Sequence, residues 1–173
     1  MSRNLKYSAG AVLLTAVCLL PFAGCVSGGY SNSWIYPKDV QSVYVEMFDT
    51  TNFRRGHEYE LTEAICKRIE AQTPYKIVSS RDRADTILSG AITPGEAVLA
   101  GERYTGYPLE KEAIATVTFS WKNLKNGQVL IQNETVRASA PFSEFLDQNY
   151  ELSMRQAVNK AAQRVVDRME ISW

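Results

Sequence analysis

The sequence predicts an α+β domain in which two helices pack on one face of a roughly four-stranded mixed sheet. Two amphipathic helical segments are the first observation, because each needs a sheet face to cover. The second is a run of alternating strands joined at Asn126-Gly127. The third is the order strand, helix, strand, strand, strand, helix (β-α-β-β-β-α), which joins a crossover to a hairpin.

The elements follow in order. Ser42 to Phe48 places Val43, Val45 and Met47 against Ser42, Tyr44 and Glu46, the two-residue period of a strand. Asp49-Thr50-Thr51-Asn52 reads as a loop. From Gly56 to Gln72 the period becomes helical: Leu61, Ile65 and Ile69 recur at four-residue steps beside Ala64, and Glu60, Glu63, Lys67 and Glu70 face outward. Pro74 ends that helix. Tyr75 to Val78 is a short extended piece, and Asp85 to Thr93 is a strand. Pro94 to Glu112 reads as a long connection, or as an extended hairpin if Ala97 to Ala100 continues the strand. Connections of that length inside a compact domain are uncommon and tend to be functional or mobile. Ala113 to Asn123 alternates Ala115, Val117, Phe119 and Trp121 with Thr116, Thr118, Ser120 and Lys122. Asn126-Gly127 predicts a type I′ turn, and Gln128 to Ala138 returns as the partner strand. Pro141 to Asn149 reads as a loop carrying Phe142 and Phe145. Tyr150 to Met169 is the second helix, with Met154, Val158, Ala161, Val165 and Met169 on one face.

Upstream of this domain the chain reads as a lipoprotein export signal. Arg3 and Lys6 precede an apolar run from Ala9 to Leu20, too short to span a bilayer. Phe22-Ala23-Gly24-Cys25 follows, with small residues before the cysteine. Phe22 stands where an aliphatic residue is usual. Three segments result: a signal peptide over 1–24, a tether over 25–38 acylated at Cys25, and a single domain over 39–173. Val26 is not the aspartate that retains enteric lipoproteins in the inner membrane, which favours the outer membrane.

Of three cysteines, Cys18 leaves with the signal and Cys25 carries lipid, so Cys66 has no disulfide partner. The mature chain holds 17 Lys+Arg against 19 Asp+Glu, a net charge of −2. That balance gives no global field to attract nucleic acid.

No catalytic constellation is present. His57 is the sole histidine and reads as a solvated helix-terminal residue. No phosphate-binding glycine loop or nucleophile elbow occurs, and no cofactor or metal is implied. Cys66, flanked by Lys67 and Arg68, reads as a half-buried packing residue rather than a reactive thiolate. Three features suit binding. Arg54-Arg55 precedes a helix N-terminus, which favours an anion. Arg103, Tyr104 and Tyr107 combine a guanidinium with aromatics, a composition of interfaces and of phosphate or sugar contacts. Phe142 and Phe145 read as core or edge packing, or as a docking surface if exposed.

These residues resemble the LptE family of outer-membrane lipopolysaccharide-assembly lipoproteins. Gly29-Tyr30 follows the cysteine, with three residues intervening where the family has Cys-Gly-Tyr. Tyr36-Pro37 leads into Val43-Tyr44-Val45-Glu46-Met47-Phe48-Asp49, similar to the family's first strand. Glu58 to Ala64 is similar to the start of its first helix. Ala84-Asp85-Thr86-Ile87-Leu88-Ser89-Gly90-Ala91-Ile92 is similar to its Ala-Asp…Leu-x-Gly-x-Ile strand. The likeness spans nearly the whole mature chain. It implies a non-enzymatic protein, lipid-anchored on the periplasmic side of the outer membrane, that plugs and supports an LptD-like β-barrel. It also implies contact with lipopolysaccharide through basic residues in loops at one end of the sheet. Arg103 falls in such a loop and is the first candidate, with Lys111 second. The last loop, Pro141 to Asn149, contains no Lys or Arg where a second basic contact is expected. The rival reading is a stand-alone periplasm-facing binding lipoprotein of another envelope or secretion complex.

Overall fold

The computed structural model describes residues 36–37, 39–50, 55–101, 108–143 and 146–170. The expected signal peptide, Cys25 and most of the tether lie outside these residues. The described elements are β1 (Ser42–Val45), β2 (Asp49–Thr50), α1 (His57–Gln72), β3 (Lys76–Ile77), a 3-10 turn (Arg81–Arg83), β4 (Thr86–Gly101), β5 (Pro108–Asn123), β6 (Val129–Phe142) and α2 (Tyr150–Asp167). The sheet order is β3-β1-β4-β5-β6, with β2 pairing β4 beyond the end of β1. β1 runs parallel to β3 and β4, and β4, β5 and β6 form an antiparallel meander. The sheet is mixed, as the crossover through α1 requires.

Both helices lie on one face, as the two amphipathic patterns predict. The strand count is higher than expected. Asp49-Thr50, read as loop, pairs with Ala91 and Ile92. Lys76-Ile77, within the short extended piece, pairs with Ser42 and Val43. Two-residue strands carry no readable periodicity.

Of the two readings of Pro94 to Glu112, the extended hairpin is the one the structure shows. It is the distal part of a long hairpin, paired from Pro94↔Ala115 out to Gly101↔Pro108. Pro94 and the glycines mimic a loop. They sit in a strand because β5 runs opposite them along that range. A correction concerns Asn126-Gly127. A type I′ turn needs positive φ at both central residues. Gly127 has φ 74°, whereas the non-glycine residues with positive φ are Asn133 and Asp147. The loop is instead held by Asn123, whose Oδ1 accepts from the Lys125 and Asn126 amides at 2.9 and 3.4 Å. Its amide donates to Gln128 O at 2.8 Å. The partner strand also runs on through Phe142, and α2 ends at Asp167 rather than Met169.

The core lies between the sheet and the helices. Leu61, Ile65 and Ile69 of α1 are fully buried, as their spacing predicts. From α2, Ala157, Ala161 and Ala162 face a sheet whose inner positions include Ala113, Ala115, Ala138 and Ala140, all buried. Small residues on both sides let α2 lie close, while Phe48, Phe119, Trp121 and Phe142 fill the margins. The helices run parallel. Arg155 Nε lies 3.3 Å from Glu60 Oε1 near their N-termini, and Gln72 Nε2 donates to Gln163 Oε1 at 3.1 Å further along.

Two anchors set where the chain enters. The Asp85 carboxylate accepts from the Gln41 and Ser42 amides at 2.8 and 3.1 Å, tying the start of β1 to the start of β4. Lys125 Nζ stands 2.7 Å from its other oxygen. The Lys125 hydrogen bond, with the two amides, holds this carboxyl below its ordinary range. Tyr36 is buried edge-on against Tyr75, ring centroids 5.5 Å apart, and its hydroxyl donates to Glu170 Oε1 at 3.4 Å. Burial and the Glu170 charge push its pKa up to about 12. The tether therefore joins the domain beside the C-terminal ends of both helices.

Phe48 fixes the segment between β1 and α1. Its amide donates to Thr62 Oγ1 at 3.1 Å, and that hydroxyl donates to Glu58 O at 2.7 Å. Its ring needs Gly90: a Cβ there would stand 2.8 Å from Phe48 Cε1 and 2.3 Å from Thr118 O. At Gly95 the nearest atom would be 3.8 Å away. Gly90→Ala is expected to cost about 1–3 kcal/mol through overpacking and to lower Tm by several degrees in thermal unfolding. Gly95→Ala should leave Tm nearly unchanged.

Candidate functional site: the loop-bearing end

The parallel arrangement of β1, β2 and β4 brings three features to one end of the sheet. These are the crossing from β1 to α1, the far end of the β4–β5 hairpin, and the link from β6 to α2. Both helix N-termini lie there. The opposite end receives the tether. The hairpin outruns its cover: β4 is largely buried from Thr86 to Pro94, while residues 98–101 are exposed.

Apolar side chains collect at the loop-bearing end. Of seven large hydrophobic residues exposed among the described residues, six lie there: Met47, Tyr59, Val98, Leu99, Leu146 and Leu152. The seventh, Val129, begins β6 at the other end. Val98 and Leu99 are 61% and 52% exposed on adjacent positions, so both sides of the arm are apolar. Register shifts at 98/100 and 100/101 leave Leu99 without a partner across the ladder. Such bulges turn side chains outward at strand ends. Sequence reading missed this cluster because its members come from five separated segments and none stands out alone.

Among the expected site residues, Cys25, Arg103, Tyr104 and Tyr107 lie outside the described residues. Gly101 and Pro108, which bracket the last three, pair with each other. Lys111 is described and engaged. Its Nζ lies 3.0 Å from Glu96 Oε1 and 5.9 Å from the Phe142 ring centroid, and the side chain is 17% exposed. Phe142 belongs to the core, and Phe145 lies outside the described residues.

Two sequence expectations change here. His57 is not solvated: it is 7% exposed, and Nδ1 sits 3.8 Å from Glu60 Oε2. His57 and Glu58 in the first turn of α1 are both buried, which a helix-terminal position does not reveal. The α1 N-terminus already has its anion, since Glu58 Oε2 accepts from the Gly56 amide at 2.8 Å. Arg54 lies outside the described residues and Arg55 is exposed. Cys66 is half-buried as expected, and burial, then Glu70, raise its pKa, the reverse of an activated thiolate. Among the described residues no group of His, Cys, Asp and Glu could hold a metal ion. No helix among them is long and apolar enough to cross a membrane.

The fold is shared with solved structures, two of them lipoproteins. Lipoprotein B from Nitrosomonas europaea aligns with TM-score 0.56 at 14% identity, covering 76% of this chain and 81% of that one. The rare lipoprotein B from Shewanella oneidensis aligns with TM-score 0.52 at 18% identity, over 75% and 93%. A PelC dodecamer subunit from Paraburkholderia phytofirmans aligns with TM-score 0.51 at 13% identity, over 82% and 96%. At these identities the likeness establishes fold alone. Among curated proteins there is no match. The family model of LptE, described as lipopolysaccharide-assembly, matches residues 40–169, from the approach to β1 to the end of α2. The chain belongs to the LptE family.

Proposed function

We propose that this protein is a non-enzymatic outer-membrane lipoprotein of lipopolysaccharide transport and assembly, anchored through Cys25, that plugs and supports an LptD-like β-barrel. The observation that carries this reading is the apolar cluster at the loop-bearing end, opposite the end where the tether joins. A lipid at Cys25 holds one end near the membrane, and a partner that encloses the other removes Val98, Leu99, Leu146 and Leu152 from water. Membership of the family supports the same role. Arg103, Tyr104 and Tyr107 fall in sequence between Gly101 and Pro108, which pair with each other, and Lys111 lies in β5. Lys111 would have to release Glu96 to meet a phosphate, so Arg103 remains the first candidate for a lipopolysaccharide contact.

Pull-down from mild-detergent extracts of envelope membranes tests the partnership. A large heat-modifiable barrel should accompany the protein in near-equal amount. Purification with other envelope proteins and no barrel would favour the rival stand-alone lipoprotein. For the ligand, Arg103→Glu should weaken binding of lipid A phosphates by about tenfold, since a charge-assisted contact becomes repulsion. Unchanged binding would remove Arg103 from the site.

A further inference from the structure

The lateral edge of the sheet carries a second surface, distinct from the loop-bearing end. β6 is an edge strand. Ser139 O accepts from Lys160 Nζ at 3.0 Å, and Pro141 O accepts from Ser153 Oγ at 3.2 Å. Those carbonyls therefore point away from β5. Pairing with β5 continues without a shift from Phe142 to Glu134, so by the two-residue period Arg137 and Thr135 turn their amides and carbonyls outward too. Both residues are exposed. Side chains of α2 thus cap the distal part of the edge, and the bulge at Asn133 (φ 47°) ends it on the other side. Between them, the described residues leave a short stretch of the edge uncovered.

An open groove of about 350 Å³ runs beside that stretch, lined by Thr135, Val136, Arg137, Arg164, Asp167 and Arg168. Lys160, Arg164 and Arg168 follow at four-residue steps, so they form a basic row along the edge-facing side of α2. Arg168 NH1 lies 3.1 Å from Glu134 Oε1, and Asp167 accepts from Gln163 at 2.7 Å. Arg137 reaches Glu112 on the other face of the sheet. Arg164 has no carboxylate partner among the described residues. Edge strands are usually blunted by charge or capping. Here the capping stops where the unpaired guanidinium begins.

We infer that the β6 edge and the α2 row form a docking groove for a short acidic segment in extended conformation, added to the sheet as a further strand. The geometry fits that occupant. Cations one helical turn apart are separated by about 5.4 Å along the helix axis. Alternate residues of a strand are separated by about 6.8 Å. Acidic side chains at every second position would meet Arg164 and Arg168 while the segment's backbone pairs with Thr135 and Arg137. Backbone pairing supplies the register and the cations supply the sign.

The test uses the full-length protein in detergent and a fluorescein-labelled peptide of roughly six residues, alternating glutamate and valine. Fluorescence anisotropy should show saturable binding that a lysine–valine peptide does not reproduce. Arg164→Glu should weaken it by about tenfold or more. Arg137→Pro removes one outward amide at an edge position where proline is tolerated, and should abolish binding where Arg137→Ala retains it. Amide exchange read on the unaltered protein should slow at Thr135 and Arg137 when peptide is added. Absence of saturable binding overturns the proposal. So does binding that leaves those two amides unprotected. A concentration-dependent dimer, lost in Arg137→Pro and formed without any affinity for the peptide, would also overturn it, by placing a second copy of the chain on this edge.

Discussion

The structure depends on one constraint: a long three-stranded meander must bury one face with only two helices. α1 and α2 meet that demand by lying parallel, and α2 lies close because alanines face alanines across the layer. The cover is shorter than the strands. β4 and β5 each span 16 residues, and the helices shield only the part nearest the tether. Beyond it, among the described residues, the ladder stays paired to Gly101↔Pro108 while residues 98–101 are exposed. The uncovered arm, with its apolar residues and its bulge, follows from that mismatch in length.

The same constraint gives the molecule a direction. Parallel β1, β2 and β4 place their C-terminal ends together, so both helix N-termini, the far end of the β4–β5 hairpin and the link from β6 to α2 share one end. Tyr36, Tyr75 and Asp85 organise the other. A chain tethered beside Tyr36 presents its apolar arm away from the point of attachment. In a family of lipopolysaccharide-assembly lipoproteins, that polarity suits a protein held at a membrane and capped by a barrel. No chemistry on substrate is needed for it. Three of the groups with shifted pKa values hold the fold: Asp85 ties two strands, Tyr36 pins the chain's entry, and Cys66 fills a half-buried position.

The fold class was legible in the sequence because long periodic elements declare themselves. Leu61, Ile65 and Ile69 announced α1, and Ala115 to Trp121 announced β5. Where the reading failed, local signals competed with distant partners. Pro94, Gly95 and Gly101 left a loop and an extended hairpin both open, and β5 opposite them decides for the hairpin. Asn126-Gly127 looks like a type I′ turn until Asn123 is seen to organise a longer loop. β2 and β3 are two-residue strands held by their neighbours, with no period of their own. The site was less legible than the fold. Its apolar members are isolated in sequence and share one end only because the topology gathers chain ends there, and the burial of His57 is not written in its helix-terminal position. Arg103 stands as a candidate on the composition of its loop and on family resemblance.

The central claim is that the loop-bearing end is the enclosed end. Site-specific photo-crosslinking in intact envelope membranes tests it most directly, with the photoreactive residue placed at Leu99 in one strain and at Val129 in another. Both positions are exposed apolar sites at opposite ends of the domain, so the comparison controls for reactivity. Enclosure by a barrel predicts a discrete high-mass adduct containing that barrel from position 99 and little from position 129. An adduct only from position 129, or equal adducts from both, would contradict it.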